Sequence, residues 1–187
     1  CSSDLELGGT WFENTYPGCR VDIPSHFYSY SCAQSVDWPH FYSSQPALLD
    51  YFKTCAREFG VAAHVRLSTE VISAAWDEAR SVWAVHTRNA DGTEGVAEFN
   101  AVVSAVGQLN RPNMPDIDGI EEFAGPWFHS AHWDHAVDLA GRRVGIIGTG
   151  ASAAQFIPPV AEEAGHLTVF QRTPPWLLPV PHYQEIG

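Results

Sequence analysis

Two glycines and an alanine near the end of the chain have the spacing of a phosphate-binding turn. Gly148, Gly150 and Ala153 form a G-x-G-x-x-A pattern between the strand-like run "RRVGII" and the helix-like run "ASAAQFIPPVAEEAG". The first glycine permits a tight turn, the second lets the backbone approach a pyrophosphate, and a small third residue lets helix and strand pack closely. The free N–H groups at the start of the helix favour an anion. The pattern predicts a dinucleotide site, with an ordinary tight turn as the alternative. Its predicted cofactor residues are Gly148, Thr149, Gly150, Ala151, Ser152 and Ala153.

Arg172 and Thr173 follow the next strand-like run, "HLTVFQ". A site selective for NAD usually has an acid about 20 residues after the glycines, where it binds the ribose 2′-hydroxyl. This position contains no acid. A guanidinium suits a 2′-phosphate through charge-assisted hydrogen bonds, and a threonine hydroxyl can add another. The sequence therefore predicts NADPH rather than NADH, unless Arg172 is a solvated residue at a strand end.

A second pattern, F-x-G-x-x-x-H-x-x-x-W, precedes the glycine turn and is matched by Phe123, Gly125, His129 and Trp133. With this pattern the sequence resembles the flavin-dependent type I Baeyer–Villiger monooxygenases, whose fingerprint also precedes the second nucleotide motif. The flavin-containing monooxygenases that oxidise nitrogen and sulfur look similar, but usually have another aromatic residue in place of this tryptophan. Asp134 directly follows the fingerprint, where many members of the family have proline. In this position the sequence resembles the aryl-ketone branch of the family, the hydroxyacetophenone monooxygenase-like enzymes.

Other stretches of the chain resemble the same family. "GGTWFENTYPGCRVDIPSHFYSYS" resembles its flavin-covering loop, "VGQLNRPNMPDIDG" its connector, and "VFQRTPPW" its clamp for the NADPH phosphate. The resemblance implies FAD contacts at Gly8, Gly9, Thr10 and Trp11, with Trp11 and Tyr28 near the flavin ring. It places Asp22 beside Arg20 in the active site, Val71 at the adenine, and Gln108 at the nicotinamide cofactor. The implied catalytic residues are Asp22 and His129, the latter as a hinge residue rather than as a direct acid or base.

The implied reaction uses FAD, NADPH and O2 to insert one oxygen atom into a ketone and form an ester or lactone. Two alternatives remain open: a monooxygenase acting on nitrogen or sulfur, and a nucleotide-binding fragment without catalysis. The first G-x-G-x-x-G, which holds the FAD pyrophosphate in the family, is absent from these 187 residues. We therefore expect an internal part of a longer enzyme, inactive by itself.

The composition of the chain excludes several classes of binding partner. The net charge of −12 argues against a nucleic-acid or anionic membrane surface, because both need a basic footprint. Apolar runs are far shorter than a bilayer requires. The four cysteines have no C-x-x-C spacing, which favours reduced thiols in a cytoplasmic protein over a secreted one. We expect a small ketone and O2 as reactants, and the sequence does not indicate an oligomeric state.

Several candidate residues have simpler interpretations. His129, His132 and His135 recur every third residue, but this spacing is poor for zinc, since helical ligand pairs favour i, i+4. We therefore predict no metal. Asp22 and Asp134 could be turn acids. The tryptophans that could belong to the core are Trp11, Trp127, Trp133 and Trp176.

Periodicity predicts the elements that position these residues. We expect a helix over 46–59, an antiparallel meander with strands at 69–76, 81–88 and 95–99, and a strand buried on both faces at 101–107. "RRVGIIG" and "HLTVFQR" are predicted parallel strands joined by a helix that bends or restarts at Pro158 and Pro159. The predicted class is α/β, with two incomplete Rossmann-like domains for FAD and NADP. Their predicted bounds are 1–110 for the partial FAD-binding domain, 111–140 for the connector with the fingerprint, and 141–187 for the partial NADP-binding domain.

Overall fold

The computed structural model describes residues 5–177, so the outermost parts of the predicted segments 1–110 and 141–187 lie outside the described residues. Within this range the chain forms two compact units. The first consists of residues 5–10 and 52–111, and the second of residues 11–51 and 112–177. No helix among the described residues has the length and apolar character needed to cross a membrane. The α/β class with a small antiparallel sheet is confirmed.

The first unit contains the antiparallel meander. Its strands are β1 (Thr69–Asp77), β2 (Val82–Asn89) and β3 (Glu94–Phe99), in the order β1-β2-β3. The turn between β2 and β3 is closed by Asp91, whose Oδ1 accepts hydrogen bonds from the Thr93 backbone N–H and hydroxyl. Gly92 takes a φ of +83° there, which suits glycine. The three predicted strands are confirmed to within two residues at each end.

The second predicted feature of this unit is not met. Residues 101–107 form no strand, and every one of them is exposed; Val103 is 88% accessible. A strand buried on both faces needs ladder partners on both sides. The described sheets are the meander and a two-stranded parallel sheet, and neither includes this segment. The apolar composition of 101–107 favours burial, but no described strand pairs with this segment.

The second unit starts with loop-rich aromatic chain around short helices. After α1 (Thr10–Glu13), the chain reaches α2 (Gln45–Glu58), which extends into the first unit and matches the predicted helix at 46–59. Leu48 of α2 is completely buried, and Val21 of the preceding loop is only 2% accessible. Gly60 follows α2 with a φ of +67° and ends the helical pattern. The loop between α1 and α2 is therefore an ordered, packed segment.

A strand–helix–strand unit completes the described fold. It consists of β4 (Arg143–Ile147), α3 (Ala151–Glu163) and β5 (His166–Phe170), with β4 and β5 parallel and Ile147 opposite Phe170. Both strands and the helix are confirmed. A restart at Pro158 and Pro159 is wrong, because α3 continues through both prolines, and the alternative of a bend there stays a prediction. The two prolines only remove the N–H donors for the carbonyls four residues earlier, and the first turns of the helix stay intact.

Candidate functional site

The glycine turn lies between β4 and α3. Gly148 has a φ of +104°, and its N–H donates to the Phe170 carbonyl at 2.9 Å. Gly150 caps α3 with extended backbone, and its carbonyl accepts from the Ala154 N–H at 3.0 Å. A Cβ built on either glycine would have no heavy atom of residues 5–177 within 4 Å beyond its chain neighbours. The space beside the first N–H groups of α3 is therefore open to an anion.

The small residues after Gly150 allow α3 to pack. Ala153 is 7% accessible and belongs to the core of this unit, together with Phe156 and Val160 of the same helix. Thr149 is held by Gln171, whose Nε2 donates to the threonine Oγ1 at 3.1 Å. Ala151 starts the helix, and Ser152 is half-buried in its first turn. The structure brings all six predicted residues of this turn together; their contact with a cofactor stays a prediction.

Arg172 and Thr173 leave the parallel sheet at the same edge as the glycine turn. Because β4 and β5 are parallel with Ile147 opposite Phe170, the chain emerges from both strands at one end of the sheet. Both Arg172 and Thr173 are exposed there. This is the edge at which ligands bind in open α/β sheets. The predicted phosphate clamp and the glycine turn thus lie at one edge, as the motif requires.

The fingerprint residues have separate roles in local packing. The Phe123 ring lies over Gly125: a Cβ on this glycine would be 2.8 Å from the phenylalanine Cε1. Trp133 packs against Phe128 and against Phe156 of α3, each with a ring-centroid distance of 5.3 Å. The tryptophan therefore joins the fingerprint to the helix that follows the glycine turn.

His129 caps the short 3-10 helix Ser130–His132. Its Nδ1 accepts a hydrogen bond from the Ala131 N–H at 3.1 Å. Partial burial, with a smaller contribution from the nearby His132, lowers the pKa of His129 below its ordinary 6.5. A neutral imidazole is needed for this bond because a protonated Nδ1 cannot accept. The observed role is that of a helix cap; the predicted hinge role stays a prediction.

This cap makes stability depend on pH. Since the unfolded chain protonates His129 at a higher pH than the folded chain, the stabilisation is complete above about pH 6.5 and declines as the pH falls below it. Asn at this position retains an N-cap acceptor and does not titrate. We expect the Tm of the wild type to fall more than that of His129→Asn between about pH 7.5 and pH 5.5. Thermal melts with parallel pH profiles for the two proteins would contradict this.

His135 has different surroundings from His129. His135 Nε2 is hydrogen-bonded to Thr15 Oγ1 at 2.9 Å. No three His, Cys, Asp or Glu side chains between residues 5 and 177 are arranged to hold a metal ion.

The predicted flavin residues Trp11 and Tyr28 are in direct contact. The indole Nε1 of Trp11 donates to the tyrosine Oη at 3.2 Å, and the rings meet edge to face with centroids 5.6 Å apart. The Gln45 side-chain amide donates to the Trp11 carbonyl. Trp11 is 9% accessible, so it also belongs to the core. The structure thus brings the pair together, and the flavin contact stays a prediction.

Arg20 and Asp22 flank the buried Val21. The Val21 N–H donates to the Ser43 carbonyl at 3.1 Å, and the Gln45 N–H donates to the Cys19 carbonyl at 2.9 Å. These bonds fix the loop to the start of α2. Asp22 is exposed, and Arg20 is half-buried with its Nε donating to the Gly18 carbonyl at 3.3 Å.

The remaining predicted cofactor residues belong to the first unit. Gly8 and Gly9 have positive φ values of 133° and 50°, and Thr10 starts α1. Val71 lies at the β-bulge of β1 and is 61% accessible, and Gln108 is exposed. Their roles stay predictions.

Sequence reasoning missed Gln155 and Tyr16. Gln155 Oε1 accepts from the Tyr16 hydroxyl and from the Arg20 N–H, both at 3.1 Å. The sequence signal that could have found this contact is the polar Gln155 directly before the apolar Phe156. Phe156 is buried in the core, and Gln155 is half-buried beside it. A polar side chain in that position needs hydrogen-bond partners.

Comparison with known proteins identifies the family of this chain. The flavin-binding monooxygenase-like (FMO-like) family matches residues 25–182. The chain therefore belongs to this family, and the resemblance inferred from the fingerprint is confirmed.

Individual relatives are Baeyer–Villiger enzymes. The chain is 46% identical over 173 residues to a Baeyer–Villiger monooxygenase of Streptomyces coelicolor, covering 92% of this chain and 32% of that protein. It is 44% identical over 178 residues to one of Pseudomonas aeruginosa, covering 95% of this chain and 33% of that protein. The chain thus spans about a third of the length of these relatives.

Solved structures show the same fold. OTEMO in complex with FAD and NADP superposes with a TM-score of 0.85 at 39% identity, covering 95% of this chain and 35% of that one. Cyclohexanone monooxygenase with bound ε-caprolactone also has a TM-score of 0.85 at 39% identity, covering 96% of this chain and 35% of that one.

Proposed function

We propose that this chain is part of an NADPH- and FAD-dependent monooxygenase that inserts one oxygen atom of O2 into a ketone to give an ester or lactone. The observation that carries the proposal is the packing of Trp133 on Phe156. This contact joins Trp133 of the fingerprint to the helix that begins at the open glycine turn. Baeyer–Villiger relatives at 46% and 44% identity support the same reaction.

The residues at the glycine turn fit NADPH. The open space at the Cβ positions of Gly148 and Gly150 would admit a pyrophosphate, and the free N–H groups of Ala151 and Ser152 would bind it. Arg172, with Thr173 beside it, would bind the 2′-phosphate at the same edge of the sheet.

The aromatic loop would cover the flavin. When bound, FAD and NADPH supply the hydride transfer and the activation of O2. Trp11 and Tyr28 would exclude water from the ring, with Gly8, Gly9 and Thr10 along the cofactor. Arg20 would provide a positive charge and Asp22 a carboxylate close to the reacting atoms.

The chain would contribute parts of two dinucleotide-binding domains. Residues 1–110 would belong to the FAD-binding domain, 111–140 to the connector and 141–187 to the NADP-binding domain. In the structure, residues 11–51 cluster with 112–177. The proposed FAD-covering loop is therefore attached to the proposed NADP-binding helix. A cytoplasmic location remains an expectation.

The test uses the full-length gene product that carries this chain. It should purify with a flavin absorption spectrum and should consume NADPH faster when a ketone is added. The substrate panel should include a cyclic ketone, an aryl ketone, a tertiary amine and a thioether. With isotopically labelled O2, mass spectrometry should find one labelled oxygen in an ester or lactone. Oxidation of only the amine or thioether would assign the sister activity, and a colourless protein without NADPH binding would refute the proposal.

A further inference from the structure

We propose that Gln155 is a positioning residue: its side-chain amide clamps the backbone at Arg20 and so holds Arg20 and Asp22 in the active site. The inference rests on the proposed function, because it assumes that these two residues lie beside the reacting cofactors. The clamp itself is a matter of protein geometry and can be tested without turnover.

The amide of Gln155 binds both backbone polar groups of Arg20. Its Oε1 accepts from the Arg20 N–H at 3.1 Å, and its Nε2 donates to the Arg20 carbonyl at 3.1 Å. The same Oε1 also accepts from the Tyr16 hydroxyl at 3.1 Å. An amide that satisfies an N–H and a C=O of one residue fixes the position of that residue as a strand neighbour would. Loss of the amide would remove three hydrogen bonds from this segment.

Close backbone contact supports the clamp. A Cβ on Gly18 would lie 2.7 Å from the backbone carbonyl oxygen of Gln155, and Gly18 has a φ of +77°. The N–H that would normally approach this carbonyl is missing, because the residue four positions later is Pro159. The helix surface at this carbonyl is therefore free of an intrahelical partner, and the loop backbone rests on it. Only glycine fits at position 18.

The neighbouring residue joins the same loop to the fingerprint. Phe156 packs on Tyr16 with ring centroids 5.8 Å apart and on Trp133 at 5.3 Å. Burial raises the pKa of Tyr16 to about 12, so its hydroxyl stays a donor to Gln155 at neutral pH. Two adjacent residues of α3, Gln155 and Phe156, thus hold the loop and the fingerprint.

This arrangement separates positioning from coenzyme binding. Gln155 lies one turn beyond the start of α3 at Ala151, and its amide faces the loop. The hydrogen bonds of the amide go to Arg20 and Tyr16, and none of them goes to the glycine turn or to Arg172. We therefore expect NADPH affinity to be retained while the loop loses its fixed position. A displacement of about 1 Å at reacting groups can cost about 100-fold in rate.

The experiment compares Gln155→Met with the wild type in the full-length gene product. Methionine keeps the volume and removes all three hydrogen bonds. The expected results are faster hydrogen exchange in residues 16–22, a fall in kcat per bound flavin of about 10- to 100-fold, and an NADPH Kd within about twofold of the wild type. Gln34→Met is the matched control, since Gln34 is exposed and lies outside residues 16–22.

Three outcomes would overturn the proposal. Unchanged exchange in residues 16–22 would show that no clamp exists. A parallel loss of NADPH affinity and kcat would place Gln155 at the coenzyme, and a lower Tm with unchanged kcat per flavin would indicate a purely structural role. If Gln155→Met yields no folded protein, Gln155→Glu, which keeps the acceptors and loses the donor, replaces it. If the wild type oxidises no ketone, the proposed function fails, and the exchange measurement still decides on the clamp.

Discussion

Replacing Arg172 with alanine is expected to lower the preference for NADPH over NADH by about 10- to 100-fold. The guanidinium follows β5 at the edge of the sheet where the glycine turn follows β4. A charge-assisted hydrogen bond contributes about 1.5–3 kcal/mol, which corresponds to that factor. NADH lacks the 2′-phosphate, so its kcat/KM should change by less than about twofold.

The measurement is kcat/KM for both coenzymes with the same ketone. Arg143→Ala is a suitable control, because Arg143 is also exposed but begins β4 at the opposite end of the parallel sheet. Its coenzyme preference should match the wild type. Equal losses for NADPH and NADH in Arg172→Ala would show that Arg172 supports the fold or a shared part of the coenzyme, and the assignment of the phosphate clamp would be wrong.

Local patterns were sufficient to predict the elements that bear the candidate site. The helix over 46–59 and the strands around the Asp91–Gly92 turn depend on periodicity and turn residues within a short window. The same holds for β4, the glycine turn and α3. The helices and the meander contain or adjoin their own hydrogen-bonding partners, and β4 finds its partner β5 just beyond α3, so a short stretch of sequence describes each structure well.

Residues whose structure depends on distant partners were predicted less well. The run at 101–107 is apolar enough for a buried strand, but the described chain offers no strand beside it. The clamp at Gln155 joins residues 135 positions apart, and no local pattern signals such a contact. The prolines of α3 illustrate a third case. Their missing N–H groups predict a bend or a restart, yet the helix does not restart, and the loop at Gly18 packs against the vacated carbonyl.

The residues of the fingerprint have separate structural roles. A side chain at Gly125 would meet the Phe123 ring, which would have to shift. His129 caps a short helix, and Trp133 reaches α3. These contacts join the fingerprint to neighbouring backbone and to α3. We infer that the fingerprint orients the segment between the two proposed dinucleotide-binding parts and acts on catalysis through that orientation.

Gly150→Ala is expected to weaken NADPH binding by about 10- to 100-fold with little effect on folding. Gly150 has a φ of −71°, which alanine adopts without strain, and a Cβ there would meet no protein atom within 4 Å. The methyl group would instead occupy the space proposed for the pyrophosphate. The cost to the helix cap is below about 1 kcal/mol.

Gly148→Ala is the matched comparison, because its cost should fall on stability. Gly148 has a φ of +104°, where a side chain is strained by about 1–3 kcal/mol, and the Cβ would also meet no protein atom. Titration of NADPH and thermal melts of both variants of the full-length gene product separate the two effects. Gly150→Ala should lose affinity at an unchanged Tm, and Gly148→Ala should lower the Tm. Wild-type affinity in Gly150→Ala would mean that no phosphate approaches this glycine, and the dinucleotide site would have to lie elsewhere.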